Sequence, residues 1–127
     1  WNSAGTRMLY TAESSALAML EALAHITMLP LQQPYCMVRL LVPDSVELLD
    51  VKELPANWNA MPVPDALNML GNRFVAAGKF LALKVPSVLV PDNFNFLINP
   101  AHPLFSEIKV VAITNISFDQ RFIKPVS

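Results

Sequence analysis

The sequence predicts a single domain of the α+β class. The chain has 127 residues, of which 54% are hydrophobic, against about 45–50% in an average soluble domain. Apolar residues recur at three- and four-residue steps in two segments and form nearly continuous runs in several others. The first pattern is typical of helices and the second of buried strands. No repeat, low-complexity tract or interdomain linker divides the chain, so one domain is expected over residues 1–127.

Two segments carry the helical pattern. In the first, Thr11 is suited to cap a helix that continues to residue 27 or 28 and is stopped by Pro30. In the second, Asp65 is suited to cap a helix over residues 66–77. Gly78 then follows, and glycine is the residue that most readily adopts the left-handed conformation at a helix end.

Five segments are predicted as strands: residues 7–11, 35–43, 47–54, 80–90 and 108–118. The second is almost entirely apolar, which predicts a central position in a sheet. Pro86 and Pro91 predict an interruption or kink in the fourth, because proline lacks the amide proton that a strand needs. Residues 91–105 are interpreted as a connection between the last two strands.

Composition excludes several classes of partner. The net charge is −1, so no cluster of basic residues is predicted to bind nucleic acid or an anionic membrane. The longest apolar stretches are broken by Arg39, Lys84, Pro86 or Asn99, which argues against a membrane span and for a soluble protein. The charged fraction is only 15%, against about 25% on average, so we expect another chain to cover part of the surface. Cys36 is the only cysteine and no signal peptide begins the sequence, which favours a reducing cytoplasm.

Other chemistries have weak support. His25, His102 and Cys36 are the only soft metal ligands and none has a ligand-like spacing, so no metal site is expected. The three glycines are scattered, which excludes a glycine-rich phosphate loop. A serine hydrolase would lack the usual G-x-S-x-G turn and would need His25 or His102 beside Ser87. Asn99 and His102 are interpreted as turn and helix-capping residues.

One residue does not fit the first helix. Glu21 falls within the apolar stripe that Leu17, Leu20 and Leu23 form. It either lies at the edge of that face with its carboxylate in water, or it is a buried carboxylate that stabilises positive charge in a cleft. Tyr10, at the end of the strand just before this helix, is either positioned to project near the same spot or is an ordinary core or edge aromatic.

A family resemblance covers almost the whole chain. It rests on four stretches in the same order as in the family: "WNSAGTRMLYTAESSALAMLEALAH", "LPANW", "KVPSVLVPDNFNFLINPAHPLFSEIKV" and "FDQRF". Together they resemble the RES domain, which is named for its arginine, glutamate and serine. The combination "YTAES-ALA-LE", then "VPS", then "N-L-NP-HP" carries most of the specificity.

The resemblance implies a fold, a reaction and partners. The fold is similar to the ADP-ribosyltransferase catalytic core, with a mixed central sheet and flanking helices. The reaction is that of a bacterial toxin that destroys NAD⁺ by breaking its nicotinamide–ribose bond, with phosphate or water taking the ribosyl carbon. NAD⁺ is then the substrate and no further cofactor is implied. The implied partners are a second copy of the chain and a DNA-binding antitoxin of the Xre type that covers the NAD⁺ pocket.

The resemblance also implies site residues. Glu21 and Tyr10 correspond to the family's catalytic residues, and Tyr10, Ser87 and Asn2 to its substrate-binding residues. In this interpretation Glu21 stabilises the positive charge that develops on the ribose ring, and the ring of Tyr10 packs on the nicotinamide or ribose. The family's arginine should stand directly before the Trp-Asn pair, where this sequence begins.

Arg7 is not expected to replace that arginine. An odd spacing from Tyr10 places the two side chains on opposite faces of a strand. Two alternatives therefore stay open: an active enzyme whose N-terminal portion before Trp1 is missing from the sequence, or a binding or assembly subunit that has the fold but an incomplete site.

Overall fold

A four-stranded mixed sheet positions the two α-helices of the described chain. The structure is a computed structural model and describes residues 1–25 and 33–122. The elements in chain order are β1 (Leu9–Ala12), α1 (Ser15–His25), β2 (Tyr35–Leu41), β3 (Val46–Leu48), α2 (Asp65–Ala77), β4 (Ala82–Pro86), β5 (Phe94–Ile98) and β6 (Lys109–Ile116). Single 3-10 turns lie at Val51–Glu53, Pro103–Glu107 and Gln120–Phe122.

The strands form two sheets. The larger sheet has the order β1-β5-β4-β3; β5 pairs antiparallel with both β1 and β4, and β3 pairs parallel with β4. The smaller sheet consists of β2 and β6, which are antiparallel. Helices combined with a mixed sheet confirm the predicted α+β class.

Apolar side chains cover both faces of the larger sheet. On one face, Leu83, Val85 and Leu97 pack against Phe74 of α2, with Trp1 at the edge of the cluster. The opposite face has a second cluster formed by Leu81, Ala82 and Ile98, against which residues of β3, of the 3-10 turn Pro103–Glu107 and of loops pack. Because strand side chains alternate between faces, the first face also carries the side chains of Tyr10 and Asn95, which follow the same register.

Gly71 allows the start of the chain to lie directly on α2. A Cβ atom at this position would overlap the carbonyl oxygen of Trp1 and lie 2.7 Å from its carbonyl carbon. Glycine is therefore required for this approach of backbone to helix. Gly78, at the other end of α2, has φ 61° and donates its amide to the carbonyl of Phe74, so the predicted left-handed helix end is confirmed.

Both helices begin differently from the prediction. Ser14, not Thr11, caps α1, because its Oγ accepts the amide of Leu17 at 3.1 Å, while Thr11 lies in β1 and bonds the carbonyl of Phe96. Asp65 is the first residue of α2, after Pro64, and makes no side-chain cap; its charge still favours the helix N-terminus. The predicted end of the first helix at residue 27 or 28 lies outside the described residues.

The strand predictions were wrong in three places. Residues 35–43 do not form a central strand: β2 pairs with β6 alone within the described chain, and Val38 and Ile113 are exposed on this ribbon. An apolar run shows that a strand is suited to burial, but not that its own sheet buries it. The segment 47–54 contains only the end of β3, because Asp50 accepts the amide of Lys52 and starts a 3-10 turn.

The third error concerns residues 91–105. They contain β5, which lies between β1 and β4 and is therefore central. Asn95 and the prolines and asparagines on either side of β5 are typical of loops. The other residues of the strand favour a strand: Phe94, Phe96, Leu97 and Ile98. The predicted interruption of 80–90 is confirmed, since β4 ends at Pro86. No helix in residues 1–25 and 33–122 is long and apolar enough to cross a membrane.

Candidate functional site

Three elements meet at the carboxylate of Glu21. Glu21 lies in α1, Ser87 directly follows β4, and Asn95 lies in β5. Ser87 Oγ donates to Glu21 Oε1 at 2.9 Å, and Asn95 Nδ2 donates to the same oxygen at 2.8 Å. Glu21 is half-buried, between the two positions predicted for it, and its carboxylate has specific hydrogen-bond partners from β5 and from the end of β4.

The hydroxyl of Ser87 has its orientation fixed by the turn after β4. Its Oγ accepts the amides of Leu89 at 3.1 Å and Val90 at 3.2 Å, and its own amide donates to the carbonyl of Asn93. The residue is only 5% exposed. Since a serine hydroxyl has two lone pairs and one proton, both lone pairs are used by the backbone and the proton is directed to Glu21.

Neutral groups alone hold the Glu21 carboxylate within the described chain. In residues 1–25 and 33–122 no Lys, Arg or His lies within salt-bridge distance of it; the ion pair found there is Arg121 with Asp119. Lys84 is on the opposite face of the sheet, with its Nζ 4.4 Å from the ring centre of Phe94. The negative charge is therefore oriented but not neutralised, and it remains available to a positive charge on a bound molecule.

Tyr10 lies on the same face of the sheet as this cluster. Ala12 pairs with Asn95, and Tyr10 is two residues before Ala12, which is about 7 Å along a strand. The Tyr10 hydroxyl donates to Asn2 Oδ1, and Asn2 Nδ2 donates to the carbonyl of Thr6 at 2.7 Å. Asn2 thus fixes the phenol, while 49% of the Tyr10 surface stays exposed. Burial raises the pKa of Tyr10, so its hydroxyl remains a donor at neutral pH.

The four residues implied by the resemblance form two contacting pairs on one face: Glu21 with Ser87, and Tyr10 with Asn2. Sequence reasoning missed Asn95. The available signal was a polar residue between two phenylalanines in "FNFLI", which in a strand places Asn95 on the opposite face from both.

Arg7 lies elsewhere. It lines a cavity of about 400 Å³ together with the adjoining Thr6 and with Asn99 at the end of β5, and neither Glu21 nor Ser87 lines this cavity. Asn99 Oδ1 accepts the amide of Ala101, which confirms its role in a turn.

The contacts of the described residues do not support a serine hydrolase. His102 Nδ1 accepts the amide of Leu104 and caps the 3-10 turn, as predicted. The hydroxyl of Ser87 contacts neither His25 nor His102 among the described residues. In the same part of the chain, no three His, Cys, Asp or Glu side chains are grouped as a metal site requires.

Comparison with known proteins identifies the family. The RES domain model matches residues 1–120. The Prs ADP-ribosylating toxin of Sphingobium sp. is 35% identical over 128 residues, which cover 98% of this chain and 80% of the relative. Toxin Res of Pseudomonas putida is 37% identical over 112 residues, covering 87% of this chain and 76% of that protein. Toxin Res of Yersinia enterocolitica is 34% identical over 123 residues, which cover 95% of this chain and 81% of that protein. This chain therefore belongs to the RES domain family.

Proposed function

We propose that this protein is a toxin that consumes NAD⁺ by breaking the bond between nicotinamide and ribose. The observation that carries the proposal is the Glu21 carboxylate, which receives two neutral donors on one oxygen and has no cation beside it in the described chain. The name of the Sphingobium relative, an ADP-ribosylating toxin, supports chemistry at the same ribosyl carbon.

The reaction explains why a carboxylate is needed. When nicotinamide leaves, it takes the electron pair of the glycosidic bond, and positive charge develops on the ribose ring. A fixed carboxylate beside that ring stabilises this charge more than it stabilises neutral ribose. An oxygen of phosphate or water then forms the new bond to the ribosyl carbon; where water attacks, it releases its proton to the solvent. Glu21 performs the electrostatic part of this reaction.

Tyr10 and Asn2 form the second part of the site. The phenol is fixed at its hydroxyl by Asn2, and half of the side chain is exposed, so its ring is free to stack on the nicotinamide or ribose. In this proposal Asn2 orients Tyr10 at the substrate, and Ser87 orients Glu21. In the family, an arginine directly before the Trp-Asn pair is suited to hold the phosphates of NAD⁺ as a bidentate clamp.

Two variants of Tyr10 distinguish the contribution of its ring to NAD⁺ turnover from that of its hydroxyl. We expect Tyr10→Phe to keep NAD⁺ turnover within about fivefold of the parent, because it loses only one exposed hydrogen bond. Tyr10→Ala should raise KM or lower kcat so that kcat/KM falls roughly 10- to 100-fold, since stacking on an aromatic ring contributes about 1–3 kcal/mol. Steady-state kinetics of both variants test this. Equal losses in Phe and Ala would instead assign the effect to the hydroxyl.

Partners and compartment follow from the same proposal. A toxin that consumes NAD⁺ acts in the cytoplasm and needs an antitoxin, for which we propose a DNA-binding protein of the Xre type. We also propose a homodimer. Exposed apolar side chains on β2 and β6 support a protein interface; Ile113, for example, is 65% exposed, and contiguous apolar surface of this kind is typical of interaction sites.

The proposal is tested by nicotinamide release from NAD⁺ in the presence and absence of phosphate. The test uses the complete gene product. We expect release of nicotinamide, with a phosphorylated ADP-ribose as the second product if phosphate is the acceptor and free ADP-ribose if water is. A folded protein that releases no nicotinamide under either condition would favour a binding or assembly subunit.

A further inference from the structure

Asn95 contacts the candidate catalytic carboxylate from β5. We infer that Asn95 is a positioning residue, which holds Glu21 in the orientation needed for NAD⁺ cleavage; this inference rests on the proposed function. Asn95 Nδ2 lies 2.8 Å from Glu21 Oε1, slightly closer than the hydroxyl of Ser87 at 2.9 Å. Hydrogen bonds from such donors to an ionised acceptor are stronger than those between neutral groups.

The amide oxygen of Asn95 indicates which contact fixes the orientation of the side chain. Its Oδ1 is buried and has no hydrogen-bond partner among residues 1–25 and 33–122, which is rare and unfavourable for an amide oxygen. Rotating the amide by half a turn would place this oxygen against Glu21 Oε1, where two acceptors repel each other. The bond to Glu21 therefore determines the orientation of the amide, although the opposite oxygen stays unsatisfied.

The two donors also make the two carboxylate oxygens different. Ser87 and Asn95 both donate to Oε1, and Oε2 receives no hydrogen bond from the described residues. Since the donors come from two different segments of the sheet, they restrain the carboxylate from two directions. Oε2 is thus the oxygen that stays free of these hydrogen bonds and is presented to the ribose ring, with its position fixed before the substrate binds.

The test compares Asn95→Ala and Asn95→Asp with the parent in NAD⁺ turnover. We expect Asn95→Ala to lower kcat about 10- to 100-fold, the effect of losing one hydrogen bond to a charged group. KM for NAD⁺ should stay within about threefold, because Asn95 itself does not contact the substrate. Asn95→Asp keeps the shape of the side chain but replaces the donor by a second carboxylate, so its kcat should fall further.

Asn93→Asp is the matched control. Asn93 lies two residues earlier and its side chain donates to the carbonyl of Pro91, away from Glu21. The Asn93→Asp variant should keep kcat within about twofold of the parent. That result would show that a new negative charge in this segment is not by itself enough to lower kcat. Circular dichroism and thermal melting establish that each variant is folded, and Asn95→Asp remains informative if Asn95→Ala is not.

The outcomes separate this inference from the proposed function. An active parent with kcat unchanged in folded Asn95→Ala and Asn95→Asp would overturn the positioning role alone. A loss confined to thermal stability, or an equal loss in Asn93→Asp, would overturn it as well. A complete gene product without NAD⁺ turnover would overturn the proposed function, and the positioning role with it.

Discussion

Glu21→Gln should lower kcat for nicotinamide release about 100- to 1,000-fold while the protein keeps its fold. The carboxamide has no charge to stabilise the ribosyl cation, and removal of one preorganised electrostatic group typically has an effect of this size. The fold should persist because a glutamine oxygen can still accept the hydrogen bonds from Ser87 and Asn95 that now reach Glu21. Steady-state kinetics with the complete gene product measure the loss.

Glu13→Gln is the control for this substitution. Glu13 Oε1 accepts the amide of Phe94 at 3.2 Å at an exposed position, and a glutamine oxygen can do the same. Its turnover should equal that of the parent within experimental error. If Glu21→Gln retained turnover within twofold of the parent, Glu21 would be a structural residue and the electrostatic role would be wrong.

Gly71→Ala should disturb both stability and the site. The new methyl group would overlap the backbone carbonyl of Trp1. Rotation of a side chain cannot relieve this clash, so the backbone at the start of the chain has to shift. The clash outweighs the roughly 1 kcal/mol that alanine contributes to a helix. Overpacking of this kind destabilises by about 1–3 kcal/mol, so the melting temperature should fall by roughly 5–15 °C.

The same shift should reach the substrate. Asn2 adjoins Trp1 and fixes the hydroxyl of Tyr10, so we expect KM for NAD⁺ to rise in Gly71→Ala. Gly78→Ala is the comparison, because it introduces strain at a positive φ, but its methyl group would lie more than 4 Å from any atom of the described residues outside its own surroundings in the chain. It should lower the melting temperature and leave KM unchanged. A Gly71→Ala protein with the melting temperature and KM of the parent would show that this approach of the chain to α2 is not needed.

The sequence predicted correctly those element ends that a single residue determines. The end of α2 at Gly78 followed from the conformational freedom of glycine, and the end of β4 at Pro86 from the missing amide proton. β5 was missed because its composition resembles a loop, and it becomes a central strand only through pairing with β1 and β4. The peripheral position of β2 depends equally on partners that the sequence does not show.

The candidate site divides in the same way. Glu21 stood out because a carboxylate interrupts an apolar stripe, and the family resemblance gave Tyr10, Ser87 and Asn2. Which donors hold Glu21 is a tertiary property, since Asn95 is 74 residues away in sequence. The two backbone amides that donate to the Ser87 hydroxyl also depend on the turn after β4, so the proposal that Ser87 orients Glu21 could not come from the sequence.

Consumption of NAD⁺ through Glu21 is tested most directly by the concentration of NAD⁺ in cells after induced expression of the parent or of Glu21→Gln at equal protein levels. We expect NAD⁺ to fall before growth stops in cells with the parent, whereas cells with Glu21→Gln should keep both their NAD⁺ and their growth. Growth arrest by the parent at an unchanged NAD⁺ concentration would contradict this expectation.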